Sequence, residues 1–365
     1  MKKVAIIGTV GVPAAYGGFE TLAENLVLEK ERLGHCYQMI VYCSAPAYQE
    51  RIDDFHGAEI RYIPFKANGL QSIPYDILSI LSALRDRCDT LLLLGHSGAF
   101  ALPFLRLLPS VRVITNIDGI EWKRAKWGRL ARWLLRRTEA MAVRYSDVVV
   151  TDNVAIRDYV SETFDRASEV IAYGGDHAVV TAPKQIAGSA IPPVPEGYAL
   201  CVCRIEPENN VHMILDAFSS MPDWPLVAVG NWEASYYGQE LRAKYAGLKT
   251  ITLLDPIYDI STLYALRRNA RVYVHGHSAG GTNPSLVEMM HFGTALLAYD
   301  CVFNRNTTED MAQYFGSAAH LQRHLDGFNA ATAAEMGKVL QDIAQRRYTW
   351  AAVARAYFDL FDDSA

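Results

Sequence analysis

The feature that most narrows the fold is a strand–helix alternation that runs twice. Short apolar stretches at residues 4–7, 38–43, 60–64, 90–94, 111–115, 148–151 and 170–172 alternate with turns and helix-period segments such as 19–33 and 77–84. Runs of this kind, apolar throughout rather than on alternate positions, fit strands buried on both faces of a parallel sheet. The alternation halts where Pro183, Gly188, Pro192, Pro193, Pro195 and Gly197 accumulate, then restarts at 199–203, 226–229, 250–253, 271–274 and 295–298. The reading is therefore α/β, with two doubly wound parallel-sheet domains at 1–182 and 183–347. The tail, 348–365, opens with YTWAAVARAYFDLF, whose apolar positions recur at helical spacing. Ligands of such sheets bind beyond the carboxyl ends of the strands, and a cleft between two halves is the natural site.

Composition removes several classes. Half of the 365 residues are hydrophobic and 21% are charged, which fits globular rather than disordered protein. A formal net charge of −5 argues against a general nucleic-acid binder. Cys36, Cys43, Cys88, Cys201, Cys203 and Cys301 are scattered, and Cys201 and Cys203 lack the second pair a zinc site needs. Free thiols in a reducing compartment are the expectation. The basic–apolar start, MKKVAIIG, is too short for a signal sequence, and no apolar run reaches eighteen residues. A cytoplasmic protein is expected.

The most informative stretch is 275–293, HGHSAGGTNPSLVEMMHFG. A β-branched run ends at His275, a Gly280-Gly281 turn follows, and Thr282, the N-cap candidate Asn283, Pro284 and Ser285 open a helix that carries Glu288. Free N–H groups at such a helix start, approached closely past two glycines, suit a phosphate. An acid one turn on suits hydroxyls of the group bearing it. A plain αβ turn with a favourably charged helix start remains the alternative. The first loop, 8–13, does not match G-x-G-x-x-G, and the second strand ends at Cys43-Ser44 with no acid for a ribose. Both points weigh against an NAD-dependent oxidoreductase. That loop instead delivers Gly17-Gly18 to a helix whose first turn holds Glu20.

In order along the chain, residues 14–20 (AAYGGFE), 116–124 (NIDGIEWKR), 204–210 (RIEPENN) and 275–284 (HGHSAGGTNP) resemble the retaining GT-B glycosyltransferases of the family 4-like group 1 kind. Within these they resemble the rhamnosyltransferases of bacterial surface polysaccharide assembly. The resemblance spans essentially the whole chain. It implies a GT-B fold of two Rossmann-like domains, acceptor-binding then nucleotide-sugar-binding, with a C-terminal helix crossing back to the first. In this group two glutamates eight positions apart grip the donor, one at the sugar and one at the ribose. Glu288 matches the second, and Gly280 stands at the first. Losing that carboxylate removes a charge-assisted hydrogen bond of about 1.5–3 kcal/mol, which disfavours a glucose or mannose donor and suits a 6-deoxy-L-hexose. Arg204 matches the arginine that clamps the diphosphate, its planar fork fitting phosphate bidentately. Asn209 and Asn210 occupy the place of the usual lysine, so the helix start at 283–286 is one expected source of further positive charge and Arg305 another.

Asp118, where many relatives have histidine, is the expected catalytic partner of Arg204 and Glu288. It would orient the acceptor hydroxyl, or serve as general base were the enzyme inverting; an Asp-Gly turn is the plainer alternative. Tyr16, Glu20, His96, Glu121, Lys123 and Arg124 complete the expected acceptor side, and Gly17 and Gly18 join the donor side. No metal is implied, since no Asp-x-Asp occurs.

Residues 122–137, WKRAKWGRLARWLLRR, hold seven basic residues, three tryptophans and no acid. Such a segment suits an anionic membrane surface or a lipid pyrophosphate, with peripheral association on the inner face of the membrane. A solvated helix face is the plainer reading. The resulting expectation is a metal-independent transferase that moves L-rhamnose from dTDP-rhamnose onto a lipid-pyrophosphate-linked saccharide, with retention. A UDP-hexose or UDP-N-acetylhexosamine donor is the alternative, and a non-catalytic nucleotide- or lipid-carrier-binding partner a second one.

Overall fold

The structure, a computed structural model, describes residues 1–14, 17–108, 110–117, 119–123, 127–180 and 193–362. Tertiary contacts divide the chain into one unit of residues 1–173 with 350–365 and a second of 174–349. The division falls ahead of the Pro- and Gly-rich stretch at which the sequence reading sets it.

The first unit is built on an eight-stranded sheet: β1 (Lys3–Ile7), β2 (Gln38–Ser44), β3 (Asp54–Phe55), β4 (Ala58–Ile63), β5 (Thr90–Leu94), β6 (Arg112–Ile117), β7 (Val148–Thr151) and β8 (Glu169–Val170). Their order is β3-β4-β2-β1-β5-β6-β7-β8, parallel except where β3 turns back on β4. Helices α1 (Gly18–Leu33), α2 (Ser72–Arg85), α3 (Leu102–Leu105), α4 (Arg129–Tyr145) and α5 (Val154–Phe164) connect the strands. Every residue from Val4 to Ile7 is fully buried, as the unbroken apolar run requires of a central strand covered on both faces. Helix α1 stops where Gly34 takes φ 72 and returns its N–H to the Lys30 and Glu31 carbonyls.

The second unit carries six parallel strands: β9 (Ala199–Val202), β10 (Leu226–Val229), β11 (Ile251–Leu254), β12 (Val272–His275), β13 (Ala295–Tyr299) and β14 (Gln313–Phe315), ordered β11-β10-β9-β12-β13-β14. Its helices are α6 (His177–Val180), α7 (Val211–Ser219), α8 (Tyr236–Tyr245), α9 (Ile260–Asn269), α10 (Pro284–Met290), α11 (Val302–Thr308), α12 (Ala318–Asp326) and α13 (Ala330–Arg347). Two edge strands, β3 and β14, escape the sequence reading because they are two or three residues long and carry polar residues.

The chain then returns to the first unit as α14 (Trp350–Asp362), whose Tyr357, Phe358 and Phe361 are wholly buried. The Tyr37 hydroxyl donates to the Phe358 carbonyl at 3.3 Å, and the Tyr37 ring lies 5.6 Å from that of Phe358 and 5.8 Å from that of Phe361. The Asn116 amide donates to the Tyr357 hydroxyl at the end of β6. Removing one of these rings should cost what a large core cavity costs. Phe358→Ala is expected to lower stability by about 3–5 kcal/mol, read as a fall in the urea midpoint of the first unit; a loss under about 1 kcal/mol would mean that α14 is not part of its core.

Candidate active site

In each sheet the strand order reverses once, and the loops on either side of that reversal define a crevice at the carboxyl ends. In the second unit the reversal falls between β9 and β12, which pair at Val272↔Ala199 and Tyr273↔Leu200. The loops leaving these two strands carry Arg204 and the Gly280-Gly281 turn, so the structure brings the two halves of the expected donor site side by side. Backbone contacts stitch them together. Ser278 donates its N–H (3.0 Å) and hydroxyl (2.7 Å) to the Glu208 carbonyl, and the Asn210 amide donates to the Gly276 carbonyl at 2.9 Å. A Cβ at position 276 would stand 2.1 Å from the Asn209 carbonyl oxygen, so only glycine permits this approach. Asn209, buried, donates its amide to the Arg204 carbonyl at 2.7 Å. That is the work the pair Asn209-Asn210 does in place of a lysine: it shapes the loop. The Arg204 side chain is 46% exposed, and its one ion pair among the described residues is a long contact to Glu206 at 3.7 Å.

Helix α10 begins as its sequence dictates. Asn283 caps it, accepting from the Ser285 N–H at 3.0 Å and the Ser285 hydroxyl at 2.8 Å, and Pro284 takes the first helical position. Gly280 adopts φ 100, and the space a side chain would enter there is empty. Thr282 is buried. Glu288, one turn into the helix, is largely buried and paired at both oxygens, with the Arg267 guanidinium at Oε2 and His177 Nε2 at 3.2 Å from Oε1. Burial pushes its carboxyl up, but Arg267 and His177 outweigh that and hold it below the usual range. Sequence reasoning found Glu288 and missed both partners. Arg267 sits in the last turn of α9 and reads as an ordinary helix-end cation, and His177 follows a Gly-Gly pair that looks like a loop.

In the first unit the reversal falls between β1 and β5. Their loops are residues 8–17, which lead into α1, and the turn 95–98 with His96. His96 Nδ1 lies 2.9 Å from the Thr138 hydroxyl, and burial brings its pKa down to about 4 against the opposing pull of the Glu121 carboxylate. The Thr138 hydroxyl itself donates to the Leu135 carbonyl at 3.0 Å, so the neutral imidazole donates from Nδ1. Glu121 itself accepts from the Trp127 indole N–H at 3.0 Å. Beneath the His96 turn lies Asp76, buried on α2 and bonded to the Gly98 N–H, its carboxyl raised by burial to about 8. Nothing in the sequence marks Asp76 out from other polar residues on that helix.

Two expectations need correction. Glu20 does not face a ligand: it is buried and accepts the Val10 N–H at 2.8 Å, while Gly17, at φ 130, leaves the room its carboxylate occupies. The acid in this first turn fixes the glycine-rich loop. Arg305 does not stand as an unpaired cation: it pairs with Asp300 at 2.7 Å and Asp310 at 2.9 Å and lies over the Tyr314 ring. Tyr16, Asp118 and Arg124 fall outside the described residues. Lys123 rests over the rings of Trp122 and Tyr159, and Arg136 over Trp122. Among the described residues no cluster of acids, histidines or cysteines could hold a metal ion.

Residues 1–176 match the family model of a domain of unknown function, DUF1972, and residues 186–317 match that of glycosyl transferases group 1. No curated protein sequence matches the chain. Among solved structures it is similar to sucrose-phosphate synthase from Thermosynechococcus elongatus, at 17% identity over 99% of this chain and 98% of that one, with TM-score 0.80. It is also similar to a glycosyltransferase from Rickettsia africae (12%, 99% and 97%, 0.71) and to the catalytic domain of starch synthase IV from Arabidopsis thaliana bound to ADP and acarbose (13%, 99% and 98%, 0.67). The architecture is the GT-B one, with two Rossmann-like domains. With the group 1 match, it supports a glycosyltransferase.

One residue of the site loop gives a direct test of the packing. His275 closes β12 at 1% exposure, stacked 4.4 Å from His277, and among the described residues neither of its ring nitrogens has a hydrogen-bond partner. Burial lowers its pKa from 6.5 to about 3. Between those values the unfolded chain takes up a proton that the folded chain refuses, so stability falls as pH drops through that window. His275→Leu should flatten this acid limb in urea midpoints measured from pH 7 to pH 4, at little cost at pH 7. An unchanged limb would place the acid sensitivity elsewhere.

Proposed function

We propose that this chain is a metal-independent glycosyltransferase that moves L-rhamnose from dTDP-rhamnose onto a hydroxyl of a lipid-pyrophosphate-linked saccharide, with retention, in cell-surface polysaccharide synthesis. The observation that carries the choice of donor is the vacancy at Gly280, where a sugar-gripping carboxylate is replaced by a left-handed glycine with open space beside it. Without that carboxylate the loop lacks the grip a glucose or mannose donor would use, which suits a differently shaped sugar such as a 6-deoxy-L-hexose. Arg204, exposed at the reversal point, would take the diphosphate and stabilise the charge that develops as it leaves. Backbone N–H groups of Gly281 and Thr282 and the hydroxyl of Ser285 would share that charge, and Glu288 would hold the nucleoside. In a front-face reaction the leaving phosphate accepts the proton of the acceptor hydroxyl, and Asp118 orients that hydroxyl together with His96 and Glu121.

The lipid end of the acceptor motivates the membrane reading. The amino-terminal half of α4 turns Arg129, Arg132, Arg136 and Arg137 outward around Leu130, 79% exposed, and Trp133, 56% exposed. Leu134 and Leu135 are half-buried instead. A cationic face with apolar centres fits an anionic lipid surface. Among the described residues no helix is long and apolar enough to cross a membrane.

Thermal-shift titration with dTDP and UDP, followed by transfer from dTDP-rhamnose to a lipid extract read by mass spectrometry, tests the donor. Stronger stabilisation by dTDP is expected, with loss of about 100-fold or more in transfer for Arg204→Ala at a preserved thermal midpoint and a comparable loss for Glu288→Ala, whose midpoint also falls because Arg267 is left unpaired. A preference for UDP would redirect the reading to a UDP-hexose or UDP-N-acetylhexosamine. Sedimentation with phosphatidylglycerol vesicles, but not phosphatidylcholine ones, is expected for the wild-type chain and reduced in a Leu130→Ser/Trp133→Ser double variant. Equal partition to both lipids would remove the membrane reading.

A further inference from the structure

We infer that His177 is a positioning residue of the donor site: it fixes the orientation in which the Glu288 carboxylate meets a nucleoside. The inference rests on the reading of Glu288 as a nucleotide-binding residue. A carboxylate anchored at one oxygen can still rotate about its last bond. Arg267, 9% exposed on α9, anchors Oε2; His177, from α6, reaches Oε1 from a separate element. Two partners from two directions leave the carboxylate one plane, and its remaining lone pairs point where that plane directs them. A hydroxyl donor then meets an acceptor already oriented, without the entropic cost of ordering it on binding.

The chain goes to some length to bring His177 there. Gly175 donates its N–H to the Tyr348 carbonyl at 2.8 Å, and a Cβ on it would lie 2.7 Å from the Glu288 nitrogen and from the Val287 carbonyl carbon. Only a glycine lets this strand of backbone lie against α10, and His177 follows two residues later. His291, one turn beyond Glu288, donates its Nε2–H to the same Tyr348 carbonyl at 2.9 Å. The charged and titratable groups around His177 are Asp176 beside it, Glu288 and His291 on α10, and Arg267 on α9. Because Arg267 alone still balances the buried charge, removing His177 leaves no uncompensated ion. The fold should therefore survive the change that disturbs the orientation.

Calorimetric titration of dTDP and of UDP into the full chain tests this. The better-binding nucleotide is expected to weaken about tenfold in His177→Ala, about 1.4 kcal/mol, with the thermal midpoint of the free protein unchanged. His177→Gln, whose amide N–H can meet Oε1, is expected to recover most of the affinity. Gly175→Ala, which keeps the imidazole but displaces it, should reproduce the loss. Wild-type affinity in His177→Ala, or no recovery in His177→Gln, overturns the inference. If neither nucleotide binds the wild-type chain, the nucleotide reading of Glu288 fails first and this inference falls with it.

Discussion

A buried carboxylate must find partners, and the pairing of Glu288 with Arg267 and with His177 ties together three elements of the second unit. An isolated charge at that depth would neutralise or unfold its surroundings. Three elements far apart in sequence therefore converge on it: α10 supplies the acid, α9 supplies Arg267, and the segment after Gly174-Gly175 supplies His177. The pairing is a constraint before it is a function, since it sets how closely α6 and α9 approach the helix that begins at the Gly280 turn. The Arg204 loop and the Gly280 turn are held separately, by the contacts of Ser278 with Glu208 and of Asn210 with Gly276.

Glycine does comparable work at several points, for different reasons. At Gly276 and Gly175 the limit is distance, since a methyl group would overlap a neighbouring backbone. At Gly280 the limit is torsion, since φ 100 disfavours any side chain although there is room for one. The distinction matters chemically. Position 280 is where a carboxylate could have been accommodated sterically, yet the backbone there favours glycine. In the first unit the same economy of backbone is reached with acids. Glu20, tied to Val10, and Glu24, tied to Ala14, fold the glycine-rich loop by accepting main-chain N–H groups rather than by meeting a substrate.

Strand and helix positions were largely legible from local pattern. The apolar runs at 90–94, 148–151 and 226–229 coincide with β5, β7 and β10, because a strand covered on both faces must be apolar throughout. Gly34, Asn283 and Pro284 read correctly as helix punctuation because caps act over three or four residues. Side-chain partners were not legible from local pattern. Arg204 has a weak one and keeps its exposure; Arg305 has Asp300 and Asp310, the second of them five residues on, and is neutralised. In α4, composition foretold a basic helix with apolar area, but not that Leu130 and Trp133 face out while Leu134 and Leu135 turn in. That choice depends on what the second half of the helix packs against.

The sequence by itself determined a twice-run α/β chain and a glycine-rich turn leading to a capped acidic helix. Each of these is written in residues within a few positions of one another, where periodicity, capping and turn geometry act. Tertiary structure decided which charges are already satisfied, that His177 and Arg267 share Glu288, that Asp76 lies buried beneath the His96 turn, and that the tail packs beside Tyr37 and Asn116. Those outcomes turn on Coulomb and packing energies between residues tens to hundreds of positions apart, and no local pattern encodes which of several equally charged side chains will arrive first.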